Sequence, residues 1–261
     1  MKHAYTEAAV HALSANVHLL KAGHGDPVLV LHHDVGNPGW LPFYDALASH
    51  FSVYVPSHPG FGKSDRLDWM RTVRDMAAAY QWILEKLGIE RVSVVGLGFG
   101  GWIAAEMSTM CPHRFRKMVL VGAMGLQPRE GEILDQFLIS TIDYVEAGFH
   151  DPKTFTELYG EEPSGDQLEL WEINREMTTR IAWKPYMYSQ ELPFLLPSVA
   201  TPALIVWGRD DKIVPLECGE MYRSLLPNAK LKVLERCGHF AEVEQAQELA
   251  QLTMDFLTAA D

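Results

Sequence analysis

The 261-residue chain has little cysteine: Cys111, Cys218 and Cys237 are the only three. Their spacing suits neither a metal centre nor a disulfide framework, so no metal is expected, and a reducing, cytoplasmic setting fits best. Long apolar runs are missing as well. No window approaches the roughly 20 apolar residues that span a bilayer, and the opening Met1-Lys-His-Ala-Tyr-Thr-Glu7 has no apolar stretch of the signal-peptide kind. Positive charge is scarce: 22 Lys and Arg against 34 Asp and Glu leave a net charge of −12. That balance argues against nucleic acid and anionic membrane as partners and leaves a small molecule as the expected one. It says nothing of oligomeric state. Repeats and low-complexity tracts are also absent, and a hydrophobic content of 48% is enough for a large core.

What the chain does contain is an alternation of short β-branched runs with helical periodicity, the pattern of a mostly parallel, doubly wound α/β sheet covered on both faces. The clear strands are 27–31, 52–55, 92–95, 118–121, 203–206 and 230–234. They lack strict alternation, as strands buried on both faces do. Helices are expected near 40–49, 72–87, 100–111, 216–226 and 243–259. Residues 126–198 break this rhythm with helical segments rich in acids and aromatics, among them Phe137, Tyr144, Phe149, Trp171, Trp183, Tyr186, Tyr188 and Phe194. They read as a lid inserted over the carboxyl ends of the strands, where open α/β sheets bind ligands. The core domain is then 1–125 together with 199–261. Most of the insertion's aromatics are expected to pack it onto that core.

The most informative segment is Gly96-Leu-Gly-Phe-Gly-Gly101. It follows the strand at 92–95 and leads into the helix starting near 100, the setting of a nucleophile elbow, Gly-x-Ser-x-Gly. Gly98 stands where the serine belongs, so the usual first step of serine hydrolysis has no hydroxyl to use. Glycine does suit the elbow's backbone, because it enters strained φ/ψ regions without a Cβ penalty. The same residues also satisfy G-x-G-x-x-G, a dinucleotide fingerprint. That reading needs an acid at the end of the next strand, which instead runs Val121-Gly-Ala-Met124, and no cofactor is expected.

Four segments together resemble the α/β-hydrolase family over nearly the whole chain. They are His32-His-Asp-Val-Gly36, Pro59-Gly-Phe-Gly-Lys-Ser-Asp65, the elbow, and Trp207-Gly-Arg-Asp-Asp-Lys-Ile-Val-Pro215 followed by Cys237-Gly-His239. The wording is most similar to capped esterases and meta-cleavage C–C hydrolases. The resemblance implies that His239 is the general base and that Asp211 orients it, although a one-residue misalignment would put Asp210 in that place. It also implies an oxyanion site made of the Phe99 N–H and a backbone N–H near His33 and Asp34. An inward-pointing His33 would add a polar contact to substrate. Ser57-His-Pro59 is expected to shape a turn, and Cys111 and Cys237 to be packing residues.

The absent hydroxyl leaves several readings open. A water held beside Gly98 by His239 and the oxyanion donors would make a direct general-base hydrolase for a small apolar ester or C–C substrate. His239 and Asp211 could instead abstract a substrate proton, as in lyases and cofactor-free oxygenases of this fold. The chain could also be a non-catalytic ligand-binding relative, or Gly98 an engineered knockout of the nucleophile. If the remaining machinery is intact, a Gly98→Ser variant is expected to gain esterase activity.

Overall fold

In a computed structural model that describes residues 4–259, eight strands form one twisted sheet. Met1, Lys2 and His3 of the opening stretch, and Ala260 and Asp261 at the end of the core segment, lie outside the described residues. The strands are β1 (Thr6–Ala12), β2 (Ala15–Ala22), β3 (Pro27–Leu31), β4 (Ser52–Pro56), β5 (Val92–Leu97), β6 (Phe115–Val121), β7 (Ala203–Gly208) and β8 (Ala229–Leu234). Their order is β1-β2-β4-β3-β5-β6-β7-β8, with β3 to β8 parallel and β1 and β2 antiparallel at one edge. Every residue of β5 and β7 is buried, which is why their sequences are apolar on both faces apart from Ser93. Alternate residues of one strand belong to different cores. Leu29 and Leu31 pack in one core, and Val28 and Val30 in the other.

The β1–β2 hairpin was not legible in the sequence. Its two-residue turn is Leu13-Ser14, both at positive φ (52° and 68°), the backbone of a turn usually marked by Asn-Gly. β1 is mostly exposed and carries no apolar alternation to announce it.

Helices α1 (Pro42–Ala48), α2 (Val73–Lys86) and α3 (Phe99–Met110) fall close to their expected places. α2 begins at a capping box in which Thr72 and Asp75 satisfy each other's backbone donors. Between β6 and β7 the chain forms α4 (Thr141–Ala147), α5 (Pro152–Tyr159), α6 (Gly165–Ala182) and α7 (Leu192–Leu195). Ser140, Asp151 and Ser164 cap the first three through their side chains. Tyr144, Phe149 and Trp171 are buried, whereas Trp183 and Phe194 are exposed. α8 (Leu216–Leu225), α9 (Ala241–Glu244) and α10 (Ala246–Thr258) complete the chain. α1 and α10 cover one face of the sheet through Phe43, Leu47 and Leu249, and α2, α3 and α8 the other through Tyr80, Ile103 and Tyr222. No helix among the described residues is long and apolar enough to cross a membrane.

Candidate active site

The turn between β5 and α3 is built by close approach. A Cβ on Gly96 would lie 2.5 Å from the Gly101 Cα, and one on Gly100 would press into the Leu31 carbonyl. These glycines therefore let α3 start hard against β3 and β5. Gly98 sits at φ 51° and ψ −111°, with its N–H on the Val121 carbonyl and its own carbonyl accepting from Gly101 and Met124. Phe99 opens α3, so its N–H has no intrahelical acceptor.

His239 stands in the turn after β8. Its backbone N–H donates to the Gly148 carbonyl at 2.7 Å, which ties His239 to the helical insertion. Its Nδ1 lies 2.8 Å from Asp211 Oδ2, with both side chains fully buried. The other carboxylate oxygen, Oδ1, accepts from the N–H groups of Ile213 and Val214, and the Trp207 indole holds the Val214 carbonyl. Asp211 is thus fixed at the end of β7 by its own turn. Asp210 points elsewhere, to a half-exposed ion pair with His150. Burial disfavours a charged His239, but the Asp211 carboxylate and its hydrogen bond outweigh this and raise its pKa above the usual 6.5.

The structure departs from the sequence picture at the elbow. The space beside Gly98 is not open, because the His33 ring fills it. A Cβ at position 98 would lie inside the van der Waals radius of His33 Nδ1 and 2.7 Å from His239 Nε2. The two rings stand 4.8 Å apart between centroids, and Phe240 packs edge-on against His33. Neither His33 Nδ1 nor His239 Nε2 has a hydrogen-bond partner in the protein, although both are buried. His33 Nε2 lies 3.1 Å from Glu242 Oε1, off the line of a hydrogen bond, and both side chains are almost wholly buried.

Asp34 turns away from the elbow towards the insertion, where its Oδ2 accepts from the Tyr144 hydroxyl at 2.9 Å and from Gln136 at 3.2 Å. Behind the loop, His58 stacks on His32 at 3.7 Å. It donates its backbone N–H to His32 Nε2, takes the His32 carbonyl through Nε2, and meets the Tyr80 hydroxyl at Nδ1. His32 Nδ1 in turn bonds the His33 carbonyl. These contacts assign one neutral tautomer to each ring, and burial drives the His32 pKa down to about 3. The network holds the backbone that carries His33. Cys237 is buried with its thiol pKa pushed up, and Cys111 is half-buried at the far end of α3, so neither is placed as a nucleophile.

Sequence reasoning missed Glu242 and the His58–Tyr80 contact. Glu242 follows His239 by three residues in an acid-rich segment, and only the fold turns it under His33. A groove of about 250 Å³ runs between the insertion and the core, lined in part by His32, Gly36, Phe61 and Asn174. It reaches the loop before His33, but not Gly98, His239 or Asp211.

Residues 27–246 match the family described as alpha/beta hydrolase fold. A 2-hydroxy-6-oxononadienedioate/2-hydroxy-6-oxononatrienedioate hydrolase of Paraburkholderia phymatum is 31% identical, over 92% of this chain and 90% of the relative. A 2-hydroxy-6-oxo-6-phenylhexa-2,4-dienoate hydrolase of Burkholderia cepacia is 30% identical, over 92% and 91%. The solved 2-hydroxy-6-oxo-6-phenylhexa-2,4-dienoate hydrolase of Rhodococcus superposes with a TM-score of 0.79 at 23% identity, over 98% of this chain and all of that one. The chain belongs to the alpha/beta hydrolase fold family.

Proposed function

We propose that the protein hydrolyses a carbon–carbon bond next to a ketone in a small, largely apolar dienoate, with water in place of a serine nucleophile. The relatives' names supply the substrate class. The observation that carries the mechanism is the buried His239–Asp211 pair, whose unpartnered Nε2 is aimed at Gly98 beside the His33 ring. In this reading His239 removes a proton from the water as its oxygen bonds to the carbonyl carbon. Asp211 stabilises the imidazolium, and the Phe99 N–H with a backbone donor near His33 receives the oxyanion. No acyl-enzyme forms, because residue 98 has no side chain. The segment 126–198 acts as the lid, and its movement admits substrate to the buried groups.

Turnover of 2-hydroxy-6-oxo-6-phenylhexa-2,4-dienoate, followed by loss of its conjugated absorbance, tests this. His239→Ala and Asp211→Asn should each lower kcat by about 10²-fold or more. The base must be neutral to act, so the acid limb of the pH profile should lie above 6.5, in line with the raised His239 pKa. Equal rates in wild type and His239→Ala would overturn the mechanism. A second reading, a ligand-binding relative without turnover, is favoured by the His33 ring in the nucleophile's place. It predicts saturable binding of the dienoate with no products.

A further inference from the structure

The geometry points to His33 as a second catalytic imidazole, held by Glu242 and sharing one proton with His239 across Gly98. This deepens the hydrolase reading and rests on it. One nitrogen of each ring lies beside a carboxylate: His239 Nδ1 is hydrogen-bonded to Asp211 at 2.8 Å, and His33 Nε2 stands at ion-pair distance, 3.1 Å, from Glu242. The remaining nitrogens, His239 Nε2 and His33 Nδ1, have no protein partner and converge on the point where a side chain at 98 would begin. Two unpartnered nitrogens aimed at one buried region, with no hydrogen bond directly between them, are satisfied by a bridging water that accepts the shared proton from one ring and donates to the other. Burial of an unpaired polar nitrogen is costly, so two of them facing one another are better explained by such sharing than by packing.

The shared proton supplies what one imidazole lacks. With the proton on His33, neutral His239 takes a proton from water while the water oxygen bonds to the carbonyl carbon and the carbonyl π pair moves onto oxygen. The carbonyl then re-forms and the scissile carbon–carbon bond breaks with its electron pair on the departing carbon. That carbon takes the proton from His33 Nδ1. Passage of the proton from His239 Nε2 to His33 Nδ1 restores the starting state. One water is consumed, and the products are a carboxylic acid and a protonated leaving fragment. Glu242 is a positioning residue, since it touches His33 and not the reacting atoms. The charged and titratable groups around His33 are Glu242 from α9, His239 from the turn after β8, and His32 and His58 behind its backbone, while Asp211 and Asp34 act on the pair through His239. Tyr44 and Tyr159 face Glu242.

Long-range ¹H–¹⁵N spectra of the imidazoles in the whole protein, recorded from mildly acidic to alkaline pH, read the pair without needing turnover. His33 and His239 should titrate in two separated, mutually dependent steps. His239→Gln and Glu242→Gln should each move the His33 midpoint, while that of exposed His11 stays in place. Independent single steps, with His33 unmoved by His239→Gln, would overturn the pairing. With the dienoate substrate, His33→Gln should lower kcat by about 10²-fold at little change in KM, and should remove the alkaline limb of the profile. An unchanged kcat, or an effect on KM alone, would overturn the acid role. A wild type that turns over no substrate would end the hydrolase reading and this acid role with it, while the spectra would still decide whether the two rings share a proton.

Discussion

Gly98 and His33 are mutually dependent. A serine at 98 would need the positive-φ backbone, at a cost of about 1–3 kcal/mol, and its Cβ would overlap the His33 ring. Overpacking of that kind costs about 1–3 kcal/mol more. Gly98→Ser alone is therefore expected to lower the denaturant midpoint and to remain without esterase activity, contrary to the simple expectation from the sequence. The double variant Gly98→Ser/His33→Gly should recover the overpacking part of the loss. It should also be the variant that gains ester turnover through an acyl-enzyme. Purely additive stability effects in the two single variants and the double variant would show that the residues do not meet.

The elements around the site divide into the sheet frame and the helical insertion. The ends of β5 and β7 and the turn after β8 carry Gly98, Asp211 and His239, and each is pinned by backbone hydrogen bonds. The insertion meets the core through many polar contacts, among them Tyr144 on Asp34, Gly148 on His239, Asn174 on Gly62 and Val35, and the His150 and Asp151 N–H groups on Glu244. Removing the Tyr144 hydroxyl leaves the buried Asp34 carboxylate with Gln136 alone. Tyr144→Phe should cost about 1–3 kcal/mol of stability, measured as a fall in the denaturant midpoint, and should raise amide exchange in α4 more than in β5. Equal protection in both variants would show that this contact does not hold the insertion. The helices and core strands were legible because apolar periodicity over long segments records which face is buried. The β1–β2 hairpin was not, because β1 is exposed and its turn uses Leu13-Ser14, residues that tolerate positive φ only when their neighbours compel it.

At the scale of the whole molecule, stability should depend on pH through buried histidines. His32 and His58 are buried in neutral form, and desolvation lowers both pKa values, that of His32 to about 3. Below about pH 6.5 the unfolded chain binds protons at these rings that the folded chain refuses, so stability falls as pH drops from there towards 3. His239 has the opposite sign: its raised pKa adds stability below 6.5, and this is lost as pH rises through the raised value. Denaturant midpoints measured across this range check both signs, and a midpoint that stays flat below pH 6.5 would contradict the buried neutral rings. The protein's local patterns alone were enough for the parallel sheet, and they marked Gly98 and the Asp211 and His239 segments as candidates, because strand periodicity and short motifs are properties of neighbouring residues. Only the tertiary structure chose Asp211 over Asp210, turned Asp34 towards the insertion, and set His33 and Glu242 against His239. Those arrangements join residues far apart in the chain, and side-chain direction at such contacts is decided by which elements pack together.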